Sequence, residues 1–313
     1  MPRIAALSLL LPLLAACGGT SPEAPAVSSD PERIVVLFQR QRDPESTREH
    51  ARLASEFLSE RLGMPVSAVV PGNYAASVQS LVAGQADVAY LSALPFLLAR
   101  RDAGARLVLA EVREDREGRR RTTYDSVLVA RADGDIEGFE SIASRAKSLR
   151  VCFTSPTSTS GFVMPMRRFV QAGLAAPGQD PKEIFGSVSY GGGYSGALRE
   201  VLLGRADIAA VSAYTVEGPH TDLYVSDEEL AGLRVVDRTP EVPTHLVAVR
   251  GGISAALEAR IAEALLALAS ERPELLANVY GATEFRRVDE EEHLRSAIEA
   301  VAATGLPIEG LAR

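Results

Sequence analysis

Between Phe153 and Met164 the sequence runs Thr154-Ser155-Pro156-Thr157-Ser158-Thr159-Ser160-Gly161-Phe162-Val163. Hydroxyls this dense, just ahead of a helix predicted over Met166–Gln171, suit the binding of an anion. Free N–H groups at a helix start, with its partial positive charge, attract an oxyanion, and hydroxyls add donors without full charge. Ser158, Thr159 and Ser160 are also preferred helix caps. A cap needs one hydroxyl, however, and four stand in succession from Thr157 to Ser160. Arg40 and Arg42 are the only cations in the candidate loops, so such a site holds an oxyanion through dipoles and hydroxyls, or equally a neutral polar solute. Catalysis is not expected. The histidines, His50, His220, His245 and His293, show no metal-ligand spacing and no pairing with the seryl run. No catalytic residue, metal or cofactor is therefore assigned.

The elements that must position this loop are announced by an internal echo. Gly72-Asn73-Tyr74 precedes Gly84-Gln85-Ala86-Asp87-Val88-Ala89-Tyr90-Leu91-Ser92, and Gly193-Tyr194 precedes Gly204-Arg205-Ala206-Asp207-Ile208-Ala209-Ala210-Val211-Ser212. Tyr, Gly, Asp and Ser recur at the same spacing, 120 positions on. Each copy reads as a turn, a short amphipathic helix stopped by glycine, and a buried strand. The opening strands match too, Ile34–Gln39 and Leu149–Thr154. This order predicts two α/β lobes with parallel or mixed sheets covered by helices. Ser126–Ala130 and His245–Val249 are predicted to link them as a two-strand hinge. Lobe 1 would then comprise 33–130 plus 217–313, and lobe 2 131–216.

Ligands of open α/β sheets bind beyond the carboxyl ends of the strands. That rule selects Gln39, Ser92, Thr154 and Ser212, and the echo adds Tyr74 and Tyr194 at helix starts. Asp87 and Asp207 lie at strand starts, away from that end, and are predicted to bond a neighbouring turn. Cys152, between Val151 and Phe153, is expected in the core. Ala255–Arg272 and Glu290–Thr304 have helical spacing, and the charged run Arg113–Arg121 reads as a solvated hairpin or loop.

The amino end sets the compartment. Arg3, the apolar run Ile4–Leu14 and Leu14-Ala15-Ala16-Cys17 form a charged start, an apolar middle and a small-residue exit, the parts of a secretory signal. The run is too short to span a bilayer. Leu14–Cys17 resembles the bacterial lipobox, which implies cleavage after residue 16, acylation of Cys17 and an envelope location, periplasmic in a two-membrane host. Segment 17–32 reads as a flexible tether. With Cys17 acylated, Cys152 has no partner for a disulfide. The net charge of −8 and the absence of Trp argue against a nucleic-acid binder.

At Ser158-Thr159-Ser160-Gly161 with Pro165, at Tyr74 with Gly84–Asp87, and at Gly204–Asp207, the chain resembles the solute-binding proteins of phosphonate, phosphite and phosphate ABC importers. The resemblance implies a bilobal periplasmic-binding-protein fold, type II-like, working as a monomer with a permease and an ATPase. It implies that Ser158, Thr159 and Ser160 hold phosphorus oxygens and that Tyr74 contacts the ligand; the strand ends, the echo and the hydroxyl run add Thr157, Tyr194, Ser195, Ser92, Ser212 and Gln39 as candidate site residues. The chain departs from the family pattern in both halves: Tyr194 stands where a His is usual and Ser195 where an acid is usual, and Ser92-Ala93 lies where Gly-Pro is common. Phosphate, phosphite, another oxyanion or an apolar ligand stay open, as does a role presenting ligand to a sensor kinase.

Overall fold

The repeated segments fold alike. In the computed structural model, which describes residues 30–306, β1 (Ile34–Phe38) lies in parallel between β2 (Val66–Val69) and β3 (Val88–Leu91). Continuing along the chain, β4 is Arg106–Glu114, β5 Arg120–Arg121 and β6 Thr123–Arg131. The second copy then repeats the first, with β7 (Arg150–Phe153) in parallel between β8 (Ser187–Tyr190) and β9 (Ile208–Ser212). The chain finishes with β10 (Leu233–Pro243), β11 (Leu246–Val249) and β12 (Glu284–Arg286). The signal segment 1–16, Cys17 and the tether up to residue 29 lie outside the described residues.

The recurring aspartates show why the copies share a geometry. Asp87 precedes β3, and its carboxylate accepts from the Val35 amide of β1 and from Arg250, each at 2.9 Å. Asp207 precedes β9 and accepts from the Arg150 amide of β7 at 2.7 Å, while the Arg150 guanidinium pairs with it at 2.6 Å. Each carboxylate thus ties the start of one parallel strand to the start of its neighbour. Gly84 and Gly204 end the preceding helices, Tyr74–Val82 and Tyr194–Leu202, with φ of 66° and 64°, a backbone that glycine adopts without strain.

Both sheets are mixed. The first runs β12-β4-β11-β3-β1-β2, with β5 added on β4, and the second β10-β6-β9-β7-β8. The lobe boundaries therefore differ from 130 and 217. β6 pairs antiparallel with both β9 and β10, so both long strands belong to lobe 2. The chain crosses between the sheets at Thr122 and at Thr244–His245, and there the two crossings bond each other: the Thr244 amide donates to the Thr122 carbonyl at 3.0 Å. The helix Glu290–Thr304 also leaves the lobe expected for it. Its apolar face (Leu294, Ala297, Ala300) is buried in one cluster with Phe162 and Met166 of lobe 2. Burial of that face, rather than chain order, decides its place.

The second core cluster packs Val36, Phe38, Val88 and Val247 of the first sheet against the helices Pro44–Leu62 and Ala255–Glu271. Cys152 is fully buried as a free thiol, and burial raises its pKa. Among the described residues no helix is long and apolar enough to cross a membrane.

Candidate functional site

Five helical segments begin where strands or their loops face the gap between the lobes: Tyr74 and Ala93 in lobe 1, and Thr159, Tyr194 and Ala213 in lobe 2. Several of their first amides are taken up by capping or inter-lobe acceptors, as in Ala76 with Asn73 and Leu94 with Thr159, and the dipoles of the longer helices still give the gap a positive bias.

The hydroxyl run is wound into a π-turn, Thr159–Val163, that leads directly into the helix Met164–Gln171. This helix starts ahead of the predicted Met166 because Pro165 is tolerated in a first turn, where its missing N–H has no partner to lose. The turn needs Gly161. A Cβ there would lie 2.2 Å from Thr154 Oγ1, and Thr154 is itself fixed by a 2.8 Å bond to the Ala210 carbonyl.

The four successive hydroxyls do four different things. Thr157 Oγ1 lies 3.3 Å from Ser155 Oγ, within its own loop. Ser158 caps the turn by accepting from the Gly161 amide at 3.0 Å. Thr159 Oγ1 accepts from the Leu94 amide of lobe 1 at 2.8 Å and so joins the lobes. Ser160 Oγ stands 3.0 Å from the Tyr194 hydroxyl and 2.8 Å from Ser212 Oγ, while its carbonyl accepts from Ser126 at 2.6 Å.

Around Ser160 lies a buried cluster of polar side chains, referred to below as the cage. Tyr74, Ser92, Gln39, Tyr194, Ser160 and Ser212 are all fully buried. Gln39 Nε2 donates to Ser92 Oγ at 3.1 Å. The Tyr74 hydroxyl faces Tyr194 and Gln39 but makes no well-formed hydrogen bond to either. The Tyr124 hydroxyl faces Ser160 and Ser212, again without a well-formed hydrogen bond. Burial, and then the neighbouring Tyr194, holds both pKa values well above the usual range, so both are neutral donors. The sequence reading did not select Tyr124. Its one signal is its place two residues before the apolar run of β6, where that strand leaves the hinge.

Residues 38–293 match the family described as the periplasmic substrate-binding protein of phosphonate ABC transporters. The chain belongs to this family. It is 27% identical over 210 residues to the phosphate-import protein PhnD of Mycolicibacterium smegmatis, a match covering 66% of this chain and 63% of that protein's length. A binding-protein component of an ABC phosphonate transporter from Pseudomonas aeruginosa has a TM-score of 0.75 at 19% identity, over 88% of this chain and 87% of that one. PhnD1 of Prochlorococcus marinus, solved in complex with methylphosphonate, has a TM-score of 0.73 at 18% identity, over 87% and 98%. At these identities the two structures bear on the fold, which they share with this chain.

Against the family pattern, Tyr194 keeps a polar head in the cage through Ser160. The structure does not bring Ser195 to the cage. Its buried, unpartnered Oγ borders an outer cavity of about 390 Å³, with Arg40, Arg42 and Asp222.

Next to the cage, at the hinge, lies a buried charged group that includes Arg113, which the sequence places at the start of a solvated hairpin or loop. Glu111 of β4 binds Arg113 at 2.5 Å, accepts from the Tyr90 hydroxyl, and faces His245 Nδ1 at 3.4 Å. The Arg113 guanidinium lies 3.6 Å over the Tyr214 ring. Burial alone would raise the Glu111 carboxyl; Arg113, with His245, holds it at about 2 instead. Burial lowers the His245 pKa, which keeps the imidazole neutral.

Proposed function

We propose that this chain is the ligand-capturing component of an ABC importer and that its ligand is a small phosphorus oxyanion, phosphate or a phosphonate, held in the cage between the lobes. The carrying observation is the pair of buried hydroxyls of Tyr74 and Tyr124, neither in a well-formed hydrogen bond, set with Ser160 among helix starts. A buried polar group left without a partner costs roughly 1–3 kcal/mol. An oxyanion supplies the acceptors these groups lack, and the helix dipoles favour its charge. Ser158 acts as the cap, Thr159 as the lobe clasp, and Ser160, Tyr74, Tyr124, Tyr194 and Ser212 face the ligand. Gln39 and Ser92 brace the lobe 1 side, and Thr157 braces its own loop.

The remaining roles follow from this reading. A permease and an ATPase complete the importer, and the binding protein works as a monomer. Its place is the outer face of the cytoplasmic membrane or the periplasm, with acylated Cys17 as anchor and the segment to residue 32 as tether. Several acyl chains at roughly 0.8 kcal/mol per buried CH₂ would hold it firmly.

A thermal-shift panel tests the ligand class. A ligand at a hundredfold excess over its Kd stabilises by about 2.7 kcal/mol. Phosphate, phosphite or methylphosphonate should raise Tm by several degrees, and sulfate less. No shift with any phosphorus oxyanion would contradict the proposal.

A further inference from the structure

Gln41 lies two residues past Gln39, on the same loop after β1, and is fully buried. One end of its carboxamide is engaged: Oε1 is 3.1 Å from the Tyr214 hydroxyl and 3.2 Å from that of Tyr224. The other end, Nε2, is buried without a partner. The single proton of the Tyr224 hydroxyl also faces the Tyr280 carbonyl at 3.0 Å. The amide can therefore be turned end for end and still bond both tyrosines, and in either setting one end stays unpartnered.

Tyr214 connects this amide to the cage. Its ring stands 5.9 Å from Tyr194, whose hydroxyl meets Ser160, and 5.0 Å from Tyr124. His245 stacks on Tyr124 at 6.3 Å; its Nδ1 faces Glu111 at 3.4 Å, and its Nε2 lacks a hydrogen-bond partner. The charges nearby are already engaged. Glu111 is paired with Arg113, and Arg42 donates to the carbonyls of Asn278 and Val279.

We propose that Gln41, backed by Tyr214 and His245, forms a second subsite that receives the carbon-borne substituent of a phosphonate and selects an uncharged polar group over an ammonium or a carboxylate. This rests on the oxyanion reading above. A buried ammonium requires a free carboxylate and a buried carboxylate a free cation, because an unpaired charge is far costlier to bury than a dipole. The amide end and the neutral imidazole offer dipoles, which suit a hydroxyl or an amide.

The test is calorimetry on the purified full chain with inorganic phosphate, hydroxymethylphosphonate, aminomethylphosphonate and phosphonoacetate. Phosphate lacks the substituent and serves as reference. Hydroxymethylphosphonate should bind at least about tenfold tighter than the amino and carboxy compounds, the worth of one good hydrogen bond. Gln41→Leu should reduce the ratio of hydroxymethylphosphonate to phosphate affinity about tenfold, and Gln41→Glu should turn the preference towards aminomethylphosphonate. Equal affinities of the three phosphonates for the unmodified protein would overturn the inference, whatever the variants do. So would a Gln41→Leu variant that weakens phosphate and hydroxymethylphosphonate by the same factor, since Gln41 would then only clasp the lobes. Failure of all four, phosphate included, would instead overturn the oxyanion reading on which it rests.

Discussion

The Leu94 amide of lobe 1 donates to Thr159 Oγ1 of lobe 2 at 2.8 Å. The amide belongs to the first turn of the helix Ala93–Ala103, so it has no partner within its own helix. The Tyr194 amide, donating to the Gln41 carbonyl at 2.7 Å, bridges the lobes in the opposite sense. Each helix start is thus satisfied only when the lobes meet. Thr159→Val keeps the side-chain shape and removes the acceptor, leaving Leu94 unpartnered in the closed form at a cost of roughly 1–3 kcal/mol. Ligand affinity should fall between about fivefold and a hundredfold, and small-angle scattering should show a wider molecule without ligand. An unchanged affinity would mean that closure does not depend on this clasp.

Ser158 and Ser160, two residues apart, should separate under mutation. Ser158→Ala removes a cap and should lower stability by about 1 kcal/mol, read by denaturant unfolding. Ser160→Ala removes the group between Tyr194 and Ser212 and should lower affinity for the oxyanion. If the two losses were interchanged, the division of labour along the loop would be wrong.

Tyr124→Phe should act with opposite signs on stability and binding. Its hydroxyl is buried without a well-formed hydrogen bond, so deleting it relieves a desolvation penalty in the ligand-free protein. Stability without ligand should rise by up to about 1 kcal/mol while affinity falls about tenfold. Paired chemical denaturation and calorimetry read both. A loss of stability together with unchanged affinity would make Tyr124 a structural residue.

Glu111 gives a pH dependence whose sign is fixed. Its pKa in the folded state, about 2, lies below the ordinary 4.5. Its contribution is therefore present above pH 4.5 and is lost as pH falls from there towards 2, on the order of 3 kcal/mol. Arg113→Met would strand the buried carboxylate and should cost about 3–5 kcal/mol. Adding Glu111→Leu should restore most of that and flatten this part of the acid limb in a pH series of unfolding curves. If the double variant stayed as unstable as the single one, the Arg113 stem and its contact with Tyr214, rather than the charge pair, would carry the effect.

The parts of the fold that were readable are those written twice. Asp87 and Asp207 repeat one strand-tying bond, so the echo of Gly-x-Ala-Asp carries real geometry. The lobe boundaries were not readable, because the apolar runs of β6 and β10 fit either sheet, and only the pairing of β6 with β9, and of β10 with β6, assigns them to the second. Tyr194 was readable as a helix start facing the gap. Ser195 was misread with it, because adjacent helical residues point about 100° apart, which turns its hydroxyl to the outer cavity. Glu111, Arg113, Tyr124 and Gln41 lacked any motif. They lie on strands and a loop that look ordinary in sequence, and only the meeting of the two lobes brings them together.

The central claim is that the cage of Tyr74, Tyr124 and Ser160 holds a phosphorus oxyanion. Titration calorimetry of the purified full chain with phosphate and with methylphosphonate, beside a Tyr74→Phe/Tyr124→Phe/Ser160→Ala variant, tests it most directly. The account predicts saturable one-to-one binding of at least one of the two by the unmodified protein, and none by a variant that still unfolds cooperatively. Binding of neither anion by the unmodified protein, or equally tight binding by the variant, would contradict it.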